Sequence, residues 1–575
     1  MDTRRTLLLM VFVFSLFMLW ENWRIYQNPP AAPVASGETG VQTSGVPALP
    51  APTANAPIPG MPQPAVTLTP VETAPLPATP AADSAEILEI HTDRYTARIS
   101  TQGGTLVSME LSQYKAFSDK NQPFHLFDAT HRYAAQTGFG RTQQGQPSKL
   151  PNHLTPLTPL PGPRALEEGQ DSFQLRLIAP EIDGIAATKV YTFRRGSYLI
   201  DVAWELENHG TETLLPDDYF PYFQLQRDGV APGGDSFMLS TFYGATVYTE
   251  AEKYQKVAYK DIAGGSAKFA RTANNGWLAM VQHYFVTAWT PQGDTPREFK
   301  LYPLGNDLFA AALFLPFPRL APGEKATVGA PLFAGPQEQA ALRAAAPGLD
   351  LVVDYGWLHL IAAPLFWLLS FMYSLFGNWG WAIVALTILI KLVLFPLSAA
   401  SYKSMAKMRQ LAPRLTRLKE LYGDDKQRLN QEMMKLYQTE KINPLGGCLP
   451  IIVQIPVFIA LYWVLLGAVE MRDAPWIFWI KDLASSDPYY VLPVIMMASM
   501  FIQTKLNPTP PDPIQAKIMT MMPIIFGVMF FFFPAGLVLY WVVNNILSIA
   551  QQWQITRMIE SGGDKPKKAA NDPKA

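Results

Sequence analysis

Cysteine is almost missing. Cys448 is the one thiol among 575 residues, which excludes an intramolecular disulfide and any metal cluster built on cysteine. Charge is scarce as well: Asp, Glu, Lys and Arg make up 16% of the chain while 49% of its residues are hydrophobic, against about 25% charged in ordinary soluble domains. Segments that never meet water account for such a deficit. Neither sign of charge dominates, since 46 basic and 47 acidic residues leave a net charge of −1. A chain of this kind does not coat nucleic acid, and no direct DNA binding is expected. The seven histidines show no H-x-x-x-H or H-E-x-x-H spacing, so neither a metal nor a cofactor is expected. One further absence bears on function. No Asp or Glu occurs in the apolar runs Trp379–Leu397, Gly446–Gly467, Tyr489–Phe501, Ile518–Phe533 and Leu537–Ala550.

What is present is a mosaic. Residues 1–26 hold Arg4 and Arg5, then the apolar stretch Leu7–Trp20, followed by Glu21 and Arg24 instead of a small-residue cleavage site. An uncleaved anchor with a cytoplasmic amino end is expected. Residues 27–82 carry 14 of the 51 prolines and few large apolar groups; a stretch so composed cannot bury enough surface to order itself, and serves as a tether. From 83 to 347 the texture is that of strands. Tyr198, Ile200, Val202, Trp204 and Leu206 alternate with polar or small neighbours, and so do Phe173, Leu175 and Leu177, the period of a half-buried strand. Gly103-Gly104 and Pro232-Gly233-Gly234 read as turns. A large antiparallel β-sandwich is expected, with a mildly acidic surface: 30 acidic and 23 basic residues between Asp83 and Asp354.

The remainder reads as a helical membrane core. Spans are expected near 378–398, 446–468, 488–504, 517–533 and 536–553, the shorter ones recruiting flanking residues. Between the first two, residues 401–441 read as a helical hairpin, with Met408, Leu411, Leu415, Leu418 and Tyr422 on one seam and Leu429, Met433 and Leu436 on the return. Gly423 should end the first helix, Asp424 or Asp425 should cap the second, and Pro413 should kink or fray the first. Ten Lys or Arg against five Asp or Glu between Lys403 and Lys441 keep this hairpin in the cytoplasm. If Trp357–Phe376 also crossed, the basic hairpin would face outside; residues 348–376 are therefore expected to lie in the outer interface, with Trp357, His359, Trp367 and Tyr373 near the headgroups. Six spans in total, counting the anchor, put both ends in the cytoplasm, with a basic tail at 557–575.

Lys391 stands inside the first of these core spans, about 9 Å from its inner end at 1.5 Å per residue. A charge there costs roughly 2.5–3.5 kcal/mol on insertion scales, which makes it a candidate functional residue. Snorkelling of its four-carbon stem to the cytoplasmic headgroups is the structural alternative. With no carboxylate in the five runs, the ammonium is either hydrated or met by a negative charge from outside. Thr387 lies on its own helical face, and Gln454, Gln503, Asn544 and Asn545 come from or beside other spans. Each of these polar groups could equally be an interhelical hydrogen bond. Together they suit a short water-filled groove able to receive a polar, acidic peptide segment. Met496, Met497, Met500, Met519, Met521, Met522 and Phe530 to Phe533 suit an adaptable apolar surface beside it, or simply face lipid.

The stretches Gly377–Pro413, Gly423–Tyr437, Ile442–Phe458, Asp487–Pro493 and Phe533–Asn545 resemble the YidC/Oxa/Alb family of membrane protein insertases, in its Gram-negative form with a large periplasmic domain. The resemblance implies a multi-domain protein: a five-span helical core plus an amino-terminal anchor, and a periplasmic supersandwich without known catalysis. It implies a protein of the bacterial inner membrane that inserts, folds and assembles nascent membrane proteins, alone or with the Sec translocon and its SecDF accessory. It also implies a groove open to cytoplasm and lipid, to which Lys391, Thr387, Gln454, Tyr540, Trp541 and Asn544 are assigned. Lys391 stands where the family usually carries arginine, and Trp541 where similar sequences often carry a second tyrosine. The hairpin's Lys403, Lys407, Arg409, Arg414 and Arg417 and the tail's Lys565, Lys567 and Lys568 are assigned to the ribosome and signal-recognition targeting machinery. Basic tails of this kind equally bind anionic membrane lipids.

Two other classes fit less well. A transporter of a small anionic solute calls for inverted repeats and usually a titratable intramembrane carboxylate, and neither is found. A membrane-anchored carbohydrate module rests on fold analogy, with Glu167-Glu168 or Glu205 and Glu207 as acid–base pairs, and adjacent carboxylates are mostly a solvated face. No enzyme is expected.

Overall fold

Alternation in the sequence becomes alternation in burial. In the strand Leu199–Asn208 every second residue from Ile200 is buried, and in Ser172–Ile178 the buried positions are Phe173, Leu175 and Leu177. The computed structural model describes residues 85–116, 119–142, 148–230, 242–355, 358–422, 425–440, 449–506 and 513–562. The anchor, the tether, Pro232-Gly233-Gly234, Gly423 and the lysines of the tail lie outside them. Contacts divide the chain into residues 72–511 with 517–575, which hold the sandwich and the helices, and residues 1–71 with 512–516, of which 513–516 are described as a helical turn.

Two nine-stranded sheets form the sandwich, every pairing in them antiparallel. The first runs in the order Ile87–His91, Tyr95–Ser100, Thr105–Lys115, Ala134–Arg141, Tyr219–Asp228, Leu308–Phe314, Arg297–Gly305, Thr272–Ala273, with Pro123–Phe127 paired to Thr105–Lys115. The second runs Lys253–Ala258, Gly244–Thr249, Trp277–Gln282, Phe285–Trp289, Lys325–Pro336, Leu199–Asn208, Ile185–Arg194, Ser172–Ile178, Thr158–Pro159. Trp204, Trp289 and Phe223 fill the space between, each at most 1% exposed. The Gly103-Gly104 turn has positive φ at both residues, and a Cβ on Gly103 would lie 2.2 Å from the His153 carbonyl oxygen. Its two carbonyls accept from the Lys189 ammonium at 2.9 Å each. Complete burial holds that amine well below its ordinary pKa. Glu205 pairs with Arg176, and Glu207 with Lys325 and His209, on the outer face of one strand. Those carboxylates are thus engaged as surface ion pairs.

Ten helices are described: α1 (Tyr259–Ala263) and α2 (Gln339–Ala345) in the sandwich, then α3 (His359–Phe376), α4 (Trp379–Val393), α5 (Phe395–Tyr422), α6 (Lys426–Thr439), α7 (Leu449–Gly467), α8 (Val491–Leu506), α9 (Pro513–Phe530) and α10 (Ala535–Gly562). Among the described residues α3 is the one unbroken helix long and apolar enough to cross a membrane by length and composition. It packs on α4 and α7 and leaves Leu360, Trp367 and Leu375 exposed. The expected straight span 378–398 is instead broken: α4 stops at Val393 and the chain bends by 66° into α5. Pro396 explains the break, because it has no N–H for the Leu392 carbonyl and disfavours helix at the residue before it. The hairpin consequently begins at Phe395, not 401. Pro413, by contrast, sits inside α5, which is helical on both sides of it. Leu411 and Leu415 are the buried residues of the seam, and Asp425 caps α6 by accepting from the amides of Gln427 and Arg428. At the other end α10 runs past the expected limits at 553 and 556 to Gly562; nothing before that glycine breaks a helix.

A strap from Glu470 to Asp487 ties the sandwich to the helices. Arg472 lies 5.3, 5.8 and 5.4 Å from the ring centres of Phe124, Tyr284 and Phe285, and donates to the Lys115 carbonyl. Lys120 reaches Asp482 at 2.5 Å and Asp473 at 3.4 Å. Glu470 accepts from the Gln339 amide at the amino end of α2, next to Glu338, and burial pushes its carboxyl up to about 7. Burial and the nearby Arg472 guanidinium draw His283 down to about 4. On its other side the strap receives the amino ends of α4 and α10: Asn378 donates to the Pro475 and Trp476 carbonyls, and the Ala535 and Gly536 amides donate to those of Ser485 and Leu483.

Candidate functional site: a buried lysine among helices

α4 begins at a defined cap. Asn378 accepts from the Trp381 amide at 3.1 Å, and Gly380 lets the Trp476 ring come so close that a Cβ would lie 2.1 Å from it. Three turns further in, Lys391 is 5% exposed. Its ammonium donates to the Ser548 hydroxyl of α10 at 2.7 Å. The Ser548 hydroxyl in turn donates to the Asn544 carbonyl at 2.7 Å, one turn back on its own helix. The Asn544 side-chain oxygen accepts from Gln454 of α7. A hydrogen-bonded relay therefore links α4, α10 and α7. Tyr402 of α5 also lies within hydrogen-bonding reach of Ser548. Lys391 makes no ion pair among the described residues.

Three of the six assigned groove residues, Lys391, Gln454 and Asn544, meet in this relay. Thr387 does not join it: its hydroxyl donates to the Ile383 carbonyl of its own helix at 2.7 Å. Tyr540 is buried with its ring 6.2 Å from that of Phe458, and Trp541 packs edge-on to Phe458 at 4.7 Å and to Phe530 at 5.7 Å. Both bring a buried polar atom, the Tyr540 hydroxyl and the Trp541 indole N–H, that has no hydrogen-bond partner among the described residues, and the Tyr540 hydroxyl lies beside Gln454 of the relay. Asn545 points elsewhere and donates to Ser499 of α8 at 3.2 Å. Met496 is buried in the core, whereas Met521, Met522 and Phe532 are exposed.

Ser548 escaped the sequence reading, although a signal existed. Tyr540, Asn544 and Ser548 recur every fourth residue, so they share one helical face. A serine in an apolar run looks unremarkable until its partner is known. Of the basic residues on the hairpin, Lys403, Arg414 and Arg417 are exposed. Arg414 is matched by Glu440 of the returning arm at 2.6 Å, so this cation closes the hairpin. Lys407 and Arg409 lie on α5, while Lys565, Lys567 and Lys568 lie outside the described residues.

Residues 371–562 match the family described as 60Kd inner membrane protein, and residues 87–368 match the YidC periplasmic domain. The chain is 59% identical over 577 residues to the membrane protein insertase YidC of Dechloromonas aromatica (strain RCB), with 100% of both chains covered. It is 56% identical to the insertase of the same name from Aromatoleum aromaticum, covering 98% of this chain and 100% of the relative. The chain belongs to the YidC family of membrane protein insertases. Its sandwich is the family's periplasmic domain, and residues 371–562 are its inner-membrane protein portion. Among solved structures, an active YidC insertase with its first transmembrane domain resolved is similar over 82% of this chain and 92% of that one, at 18% identity and a TM-score of 0.37. A galactose mutarotase-like protein from Lactobacillus casei is similar over 43% of this chain and all of that one, at 10% identity and a TM-score of 0.25. At these scores neither likeness adds to the assignment.

Proposed function

We propose that this chain inserts and folds nascent proteins of the inner membrane without bond chemistry, by offering their polar, acidic segments a charged resting place among α4, α7 and α10. One observation carries the role given to the site. Lys391 is buried in the last turn of α4, held by a hydroxyl, and makes no ion pair among the described residues. Hydrocarbon is a poor solvent for a carboxylate, and an ammonium already inside it lowers the cost of entry. The architecture that goes with this role is an amino-terminal anchor, five core spans, an interfacial α3 and two cytoplasmic ends, in the inner membrane of a Gram-negative cell. The exposed hairpin and the basic tail meet the ribosome, the targeting machinery and anionic lipid. The protein works alone or alongside the Sec translocon and SecDF.

A lysine keeps the charge of the family's usual arginine but not its two-pronged fork. Replacement by arginine therefore preserves insertion, while Lys391→Ala removes the attraction. At ~4 Å and an effective dielectric of ~20 that attraction is ~4 kcal/mol, and desolvation offsets more than half of it. A net ~1.5 kcal/mol corresponds to about tenfold in rate. The test is insertion of short single-span substrates into vesicles carrying the wild type, Lys391→Ala or Lys391→Arg. Acidic-ended substrates should slow about tenfold with alanine alone. Equal rates for all three variants would refute the role of the charge.

A further inference from the structure

Lys391 has an obvious escape. α4 ends two residues later, and a lysine stem is long enough to lift its ammonium toward the inner headgroups. The geometry shows that it does not leave. Lys391 lies twelve residues beyond the start of α4, and Ser548 thirteen beyond the start of α10, so about 18 and 20 Å along their helices. Both helices hang from the same strap at their amino ends, through Asn378 on one side and Ala535 with Gly536 on the other. The ammonium is therefore held level with its own backbone. Ser548 can hold it because of how its own proton is placed. The hydroxyl has one proton, and that proton is committed to the Asn544 carbonyl at 2.7 Å. What it turns toward Lys391 is a lone pair.

We propose that Ser548 is a positioning residue for insertion, holding the Lys391 ammonium at the depth where an acidic segment must cross and denying it the cytoplasmic headgroup layer. The proposal rests on the role assigned above to Lys391. It also accounts for a lysine at this position. A single-point ammonium on a flexible stem needs an acceptor to fix it, where a planar guanidinium with five donors can be fixed by several weaker contacts at once.

The test uses the full-length protein in vesicles and two substrates that differ only in whether the translocated end is acidic or neutral. Ser548→Ala should slow the acidic-ended substrate about tenfold, the usual weight of one hydrogen bond to a charged group, and leave the neutral one within about twofold. Ser548→Thr, which keeps the hydroxyl and its bond to the preceding turn, should restore the acidic-ended rate. In a Lys391→Ala background, Ser548→Ala should add nothing. Equal slowing of both substrates, failure of threonine to rescue, or a further loss in the double variant would overturn the proposal. The two levels separate cleanly. If Lys391→Ala slows acidic-ended substrates and Ser548→Ala does not, positioning by Ser548 alone is refuted; if Lys391→Ala is also without effect, the role of the charge falls with it.

Discussion

Glu470 should make the union of sandwich and helices depend on pH, and Glu470→Gln should remove that dependence. Its carboxyl accepts from the Gln339 amide, with Glu338 just before α2, Tyr114 of the strand Thr105–Lys115 and Tyr355 facing the same place. Arg472, two residues on, points into the rings of Phe124, Tyr284 and Phe285. Burial lifts Glu470 from an ordinary 4.5 to about 7. A carboxyl raised in this way binds its proton more tightly in the docked state than in the open one. Docking is therefore unimpaired below pH 4.5, weakens as pH rises toward 7, and levels off above it. At 1.36 kcal/mol per pH unit the span amounts to at most ~3.4 kcal/mol. Glu470 keeps part of its surface in water, so about half of that, ~1.5 kcal/mol, is the expected loss. For a domain of this size that is a fall of roughly 3–5 °C in Tm between pH 5 and pH 8. Thermal unfolding of the detergent-solubilised protein, followed by tryptophan fluorescence at several pH values, measures it. Glu470→Gln, which imitates the protonated form, should flatten the profile and be the more stable protein at pH 8. Parallel profiles for wild type and variant would refute the reasoning.

Other perturbations have equally direct readouts. Arg472→Ala removes a buried cation from three rings and its bond to the Lys115 carbonyl; a loss of ~3 kcal/mol is expected, seen as a lower midpoint in thermal unfolding and faster proteolytic release of the sandwich. Gly103→Ala forces a Cβ to 2.2 Å from the His153 carbonyl oxygen at a residue with positive φ, and should destabilise the sandwich by ~2–4 kcal/mol in denaturant titration. Asp425→Ala removes the cap of α6 and should weaken it by ~1 kcal/mol, measured as faster amide exchange confined to the returning arm of the hairpin.

The sandwich was legible because a strand with one face buried must alternate, and Ile200, Val202, Trp204 and Leu206 could be assigned to the inside from spacing alone. Local rules narrowed the cap of α6 to Asp424 or Asp425 and gave the seam that holds Leu411 and Leu415. Helix limits were less legible. The break after Val393 depends on one proline two residues into the next helix, whereas Pro413, a residue of the same kind, interrupts nothing. Propensity ranks the two alike; what separates them is position, since Pro396 stands at the start of α5 and Pro413 lies within it, helical on both sides. The site divides in the same way. That an uncompensated cation lies in an apolar run is a fact of composition, and the sequence alone supplied Lys391 and the lack of any carboxylate to meet it. Where its ammonium rests was decided by the tertiary structure. Ser548 lies 157 residues away, and the packing of α10 on α4, with both amino ends held by the strap, brings the hydroxyl to the lysine. Periodicity is a property of neighbours along the chain, but a hydrogen bond between helices depends on their relative height, which no local pattern encodes.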